Sequence, residues 1–203
     1  MNLGYACINT GLSAQNITTN RTMRRKTFDA RGIDYVSDLA LANIKDLKTI
    51  VQWNNEMGIK LFRLSSQIFP WSDEYNIKDL KDYKEICGLM LEIGTIAKDA
   101  GQRLTMHPGP YNCLASPTKK VVEKTIRELN FHSEQFNMFG FKPSNHNKIN
   151  IHVGGAYGDR KSTLARFCKN FHLLNEDTKK RLVIENDDSP NEYSVKDLFD
   201  GVY

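Results

Sequence analysis

Along this chain, short apolar runs alternate with longer stretches in which apolar residues return every three or four positions, the spacing of one helix face. Asn2-Leu3-Gly4-Tyr5-Ala6-Cys7-Ile8 predicts a first strand. From Asn9 to about Ser37 the chain is polar, rich in Thr, Asn and Arg, and reads as a long loop. Leu39 to Met57 then sets Leu39, Ala42, Ile44, Leu47, Ile50, Val51 and Trp53 near helical spacing, and Gly58 supplies a stop. Leu61-Phe62-Arg63-Leu64-Ser65 predicts a second strand. Leu80 to Ala100 predicts a helix with Leu80, Tyr83, Ile86, Cys87, Met90, Ile93 and Ala97 on one side, closed by Gly101. Gln102 to Met106 is a third strand, Pro117 or Thr118 opens a helix to about Met138, and Lys148 to Val153 is a fourth strand. Lys161 to about Leu174 is helical, Arg181 to Glu185 is a fifth strand, and Ser194 with Asp197 three residues on resembles the N-cap of a last helix.

Strands that each lead into a helical stretch imply a parallel sheet of right-handed βαβ units. Two architectures satisfy that pattern, a doubly wound open sheet and a (β/α)8 barrel. No GxGxxG follows the first strand, which weakens the dinucleotide-binding version and removes the expectation of a nucleotide cofactor. The pattern stops after five strand-helix units where a barrel has eight, so residues 1–203 read as a single domain, either an open sheet or a barrel incomplete at its C-terminal end.

Composition narrows the class. The 203 residues carry 40% hydrophobic and 26% charged side chains, as globular domains do. No apolar run approaches a membrane span, and the N-terminus lacks the basic and apolar regions of a signal peptide. Cys7, Cys87, Cys113 and Cys168 stand far apart with no CxxC pair, which fits a reducing, intracellular setting and no membrane partner. Cys7 reads as buried filler. The net charge of +4 permits a polyanionic partner without requiring one.

Candidate chemistry lies where strands end. The third strand ends Met106-His107-Pro108-Gly109, the fourth contains Ile151-His152-Val153-Gly154-Gly155, and the fifth ends Ile184-Glu185-Asn186-Asp187-Asp188. Parallel α/β folds gather the carboxyl ends of their strands on one face. His107, His152 and Glu185 can therefore converge, and two imidazoles with a carboxylate suit Zn, Mn or Fe. Asn186, Asp187 and Asp188 add acceptors that could steady the ligands. The glycines after each His allow a tight turn or the close approach of a ligand. Arg21, Arg24, Arg25 and Lys26 form a basic cluster that could meet phosphates. Tyr5, Tyr111, Trp71 and Tyr157 fall near strand ends, where aromatic rings could stack on or wedge between bases.

Taken in order, Leu3-Gly4-Tyr5 with Asn9, Thr19-Asn20-Arg21-Thr22, Phe62-Arg63-Leu64-Ser65-Ser66, Met106-His107-Pro108-Gly109, His152-Val153-Gly154-Gly155-Ala156-Tyr157-Gly158-Asp159 and Glu185-Asn186-Asp187-Asp188 resemble the UV damage endonucleases over nearly the whole chain. The resemblance implies a (β/α)8 TIM-barrel fold of which this chain covers about the first five units. It implies a DNA repair enzyme that nicks damaged double-stranded DNA on the 5′ side of a photoproduct and so starts excision repair. It implies a cluster of more than one divalent metal ion, Mn²⁺ before Zn²⁺ or Mg²⁺, with His107, His152 and Glu185 as ligands at the catalytic centre. Tyr5 and Asn9 would contact the damaged site. Tyr111 matches the aromatic member of a Gln-Tyr pair that probes the duplex opposite the lesion, and here the pair is Pro110-Tyr111. Gln67 stands where some members have a His ligand. The family's other ligands come from later strands, which a complementing chain or a dimer could supply. The competing readings are a metal-dependent sugar isomerase or epimerase on the same barrel, and an inactive fragment that binds DNA. A cytoplasmic or nuclear protein is expected.

Overall fold

The computed structural model describes residues 2–187 and 192–202. The chain divides into two compact units, one of residues 2–106 with 134–142, the other of residues 107–133 with 143–202.

The first unit contains β1 (Gly4–Ala6), a single-turn α1 (Thr10–Ser13), α2 (Arg25–Glu56), β2 (Leu61–Leu64), α3 (Tyr83–Asp99) and β3 (Arg103–Met106). Its three strands run parallel, with Gly4 opposite Leu61 and Phe62 opposite Leu104. Phe62, Leu64, Leu104 and Met106 are fully buried, as expected of a parallel sheet covered by helices. The covering faces are those the apolar spacing marked: Ile44, Leu47, Ile50 and Val51 on α2, and Ile86, Met90, Ile93 and Ala97 on α3. Gly94 lets the chain at Phe139 press against α3, because a Cβ there would sit 1.8 Å from the Phe139 carbonyl oxygen. Beneath the sheet, Asn54 is buried with both ends of its amide used. It accepts from the Tyr5 hydroxyl (2.7 Å) and donates to Gln102 (3.2 Å), as a buried amide must.

Two features depart from the sequence pattern. The stretch expected to be loop up to Ser37 is helical from Arg25 onward, with a break at Gly32 (φ 64°, ψ −163°). The first buried residue of α2 is Val36, so the earlier turns are exposed or half-buried and carry no fully buried stripe to announce them. Cys7 is half-buried rather than buried, with φ 60°.

α4 (Lys119–Met138) starts in the second unit and finishes in the first. The second unit continues with β4 (Ile149–Ile151), α5 (Arg160–Phe171), α6 (Glu176–Arg181), β5 (Leu182–Ile184) and α7 (Val195–Val202). β4 and β5 are parallel, Ile149 facing Leu182 and Ile151 facing Ile184. α5 begins where Asp159 accepts from the amides of Lys161 and Ser162, satisfying two donors that have no partner within the helix. α7 begins with the expected cap. Ser194 Oγ and Asp197 Oδ2 exchange hydrogen bonds with each other's backbone amides (3.3 and 2.9 Å). α6 was not anticipated. It has acidic residues in its first turn and Lys179, Lys180 and Arg181 in its last, matching the helix dipole, and it runs directly into β5. Among the described residues no helix is long and apolar enough to cross a membrane.

Candidate metal centre

Three strands end one residue before a ligand-type side chain: β3 before His107, β4 before His152, β5 before Glu185. All three side chains belong to the second unit. Each offers one donor atom, and the three atoms lie within 4.8 Å of one another. His107 Nε2 is 3.3 Å from Glu185 Oε2, and the His107 and His152 rings stand 5.2 Å apart at 48°. The side chains keep 24%, 35% and 40% exposure for His107, His152 and Glu185, so the group is open to solvent yet partly shielded.

Local contacts aim these side chains. His107 Nδ1 lies 2.9 Å from the Pro108 carbonyl, which can only accept. A proton on Nδ1 satisfies that contact, and Nε2 is turned toward Glu185. The Glu185 backbone N–H donates to Ile151 O at 2.9 Å, which carries the β4–β5 pairing one step beyond β5. Asn150 Nδ2 donates to Glu185 Oε2 at 3.3 Å. Asn150 was not singled out in the sequence, although its signal is there. In Ile149-Asn150-Ile151-His152 the period of two places Asn150 on the same face as His152.

A cavity of about 140 Å³ adjoins the group, lined by His107, Pro108, Asn150, His152, Gly154 and Tyr157 among others. Gly154 has φ 92°, and a Cβ on it would fall 2.8 Å from Cys113 Sγ, so both backbone and space require glycine. Cys113 Sγ donates to Val153 O at 3.3 Å and lies 3.4 Å from the Tyr157 hydroxyl. Contact with Cys113, followed by partial burial, pushes the Tyr157 phenol above its ordinary range. Tyr157 itself is 51% exposed and held at φ 47°.

The donor set fits a divalent metal ion. Two neutral imidazoles and a carboxylate are the ligands such ions take. Beside them Asp187 Oδ2 is buried without a hydrogen-bond partner, polar capacity that the protein leaves unused. Asp188 lies outside the described residues.

The residues expected to meet DNA are differently placed. Tyr5, Asn9, Arg21, Arg24 and Arg25 belong to the first unit, Pro110 and Tyr111 to the second. Tyr111 is 89% exposed beside the exposed Pro110. Asn112 anchors their loop by donating to Gly109 O (3.1 Å) and to Glu128 Oε1 (2.8 Å). Asn9 is buried. Its Oδ1 caps α1 through Leu12 N, and its Nδ2 donates to the Tyr5 hydroxyl. Burial pushes the Tyr5 phenol up, against the opposing effect of Asn9 and Asn54. The basic cluster is partly neutralised. Arg21 pairs with Asp46 at 2.6 Å and donates to the carbonyls of Thr18 and Asn16. Arg25 pairs with Asp29 and Glu74 at 2.8 Å each. Arg24 is exposed. Gln67 is exposed and belongs to the first unit.

A family model described as UV-endonuclease UvdE matches residues 1–200. The chain belongs to the UvdE family. It is 37% identical to the UV-damage endonuclease of Schizosaccharomyces pombe, the alignment covering 97% of this chain and 33% of that protein. A protein of Acanthamoeba polyphaga mimivirus, provisionally named a UV-damage endonuclease, is 38% identical over 97% of this chain and 59% of its own length. The crystal structure of SacUVDE superposes with a TM-score of 0.84 at 31% identity, covering 97% of this chain and 64% of that one. The UvdE barrel type of fold thus holds for the five strand-helix units present, and the chain spans from a third to about three fifths of these curated relatives.

Proposed function

We propose that this chain carries part of the active site of a DNA repair endonuclease that nicks UV-damaged duplex DNA on the 5′ side of the photoproduct. The observation that carries the reading is the convergence of His107, His152 and Glu185, donor atoms within 4.8 Å, in a chain of the UvdE family. These three would hold divalent metal, with Mn²⁺ the favoured ion and more than one ion in a complete site. A bound ion would lower the pKa of its water and neutralise charge on the phosphate oxygens. Glu185 supplies the negative charge that balances the ion, and Asn150 holds that carboxylate in place. The Nδ1 contact of His107 with the Pro108 carbonyl orients its ring, so that Nε2 points toward Glu185. Exposed Arg24 would meet backbone phosphates, which position a duplex without reading its sequence.

Lesion choice follows from deformability. A photodimer weakens stacking and pairing, so bending the duplex and extruding the damaged bases costs less there than elsewhere. Tyr111 is the residue to enter the gap, being exposed at the tip of an anchored loop. Tyr5 and Asn9 would contact the damaged site as a pair, Asn9 Nδ2 donating to the Tyr5 hydroxyl.

The test is an end-labelled duplex with one defined photoproduct beside its undamaged twin, incubated with Mn²⁺ or with EDTA. Cleavage only 5′ to the lesion and only with metal is expected. A folded chain that leaves the damaged strand intact, or cuts it equally in EDTA, overturns the proposal.

A further inference from the structure

Two residues beyond Glu185, Asp187 turns back toward the second imidazole. Its Oδ1 lies 2.7 Å from His152 Nδ1, and its side chain is only 9% exposed. The separation is that of a charge-assisted hydrogen bond, yet neither His152 Nδ1 nor Asp187 Oδ2 has an aligned partner. The Asp187 backbone holds the carboxylate at that distance from the ring. That backbone is fixed, since the Asp187 N–H donates to the carbonyl of Tyr193 (3.1 Å), itself fully buried.

We propose that Asp187 is a positioning residue: its carboxylate holds the His152 ring with the proton on Nδ1, which leaves the Nε2 lone pair for a divalent metal. The inference rests on the metal reading above. Asp187 is not among the three clustered donors, so it acts on the imidazole from behind rather than as a ligand. The two imidazoles are then held by the same device through different acceptors, the Pro108 carbonyl for His107 and a carboxylate for His152. A carboxylate behind the ring also makes its far nitrogen a better donor to metal. A nearly buried carboxylate without such a partner would be costly to the fold, which explains why it faces the ring.

The role is read in two ways on the wild-type chain and on Asp187→Ala and Asp187→Glu. Nitrogen–proton correlation spectra of the metal-free chain, at alkaline pH where imidazoles are neutral, report which nitrogen of His152 bears the proton. Calorimetric titration with Mn²⁺ alone reports affinity. The expected result is an Nδ1-protonated His152 in the wild type, a shift toward the Nε2 form in Asp187→Ala with affinity about 10- to 100-fold weaker, and recovery of both in Asp187→Glu. An Nε2-protonated ring in the wild type overturns the proposal even if Asp187→Ala fails to fold. Full Mn²⁺ affinity in a folded Asp187→Ala overturns the positioning role and leaves the metal reading standing. Failure of the wild-type chain to bind Mn²⁺ overturns the metal reading, and the positioning role with it.

Discussion

Gly154 ties the candidate centre to its support. It sits two residues after His152, at a φ that side chains with a Cβ rarely adopt, against the sulfur of Cys113. Gly154→Ala therefore meets both backbone strain and a clash, and a loss of about 1–3 kcal/mol in unfolding free energy is expected. Chemical denaturation measures it. Adding Cys113→Ala should return the part due to the clash and leave the part due to φ. Full recovery in the double variant would mean that the backbone conformation costs nothing, and no change would mean that the sulfur is irrelevant.

At the scale of elements, two helices of the second unit start on carboxylates whose affinity for protons is lowered. Hydrogen bonds from the Ser162 side chain and from the Ser162 and Lys161 amides hold Asp159 below its ordinary range. The Ser194 hydroxyl and amide do the same for Asp197, with Arg160 assisting. A carboxyl whose folded pKa is depressed stabilises the fold above its unfolded value, about 4, and that stability is lost as pH falls through the folded value. Asp159→Asn and Asp197→Asn should each lower the melting temperature at pH 7 and converge on the wild type in strong acid. Melting curves taken from pH 7 to pH 2 decide it, and a difference that stays constant down to pH 2 would refute the electrostatic origin.

The elements also show what a sequence can disclose. β2, β3, α3, α4 and α5 were legible because burial on one face or both imposes a period on the residues. The first turns of α2, at most half-buried, and the polar α6 bury too little apolar surface to imprint one. The same limit applies to the site. His107, His152 and Glu185 were legible because each is an ionisable residue ending an apolar strand. Their supports were harder to see. Asn150 looks like an ordinary strand residue, and the 2.7 Å contact between Asp187 and His152 exists only after β4 and β5 have paired. The basic cluster looked richer in the sequence than it is in the fold, because Asp46 and Glu74 reach Arg21 and Arg25 from distant positions and Asp29 pairs with Arg25 one helical turn on.

For the whole chain, 28 basic against 24 acidic side chains leave a net +4, and several of the basic ones are already paired. If the chain meets duplex DNA as proposed, binding should rest on few phosphate contacts. The logarithm of affinity should fall with the logarithm of salt concentration by about 0.9 for each contact. Arg24→Ala is expected to flatten that slope by about one contact for damaged and undamaged duplex alike, as read by fluorescence anisotropy across a salt series. A slope that Arg24→Ala leaves unchanged would remove that residue from the interface.

One short loop limits the distance between two candidate residues. Only Pro108, Gly109 and Pro110 separate His107 from Tyr111, and Asn112 pins the far end to Glu128. Fully stretched, those residues span at most about 14 Å from Cα to Cα, roughly four base steps along one strand at 3.4 Å each. If His107 faces the phosphate being cut and Tyr111 the distortion, the break must fall within a few nucleotides of the damage whatever the surrounding sequence. The spacing of the nick would then be a property of covalent chain length, set before any base is read.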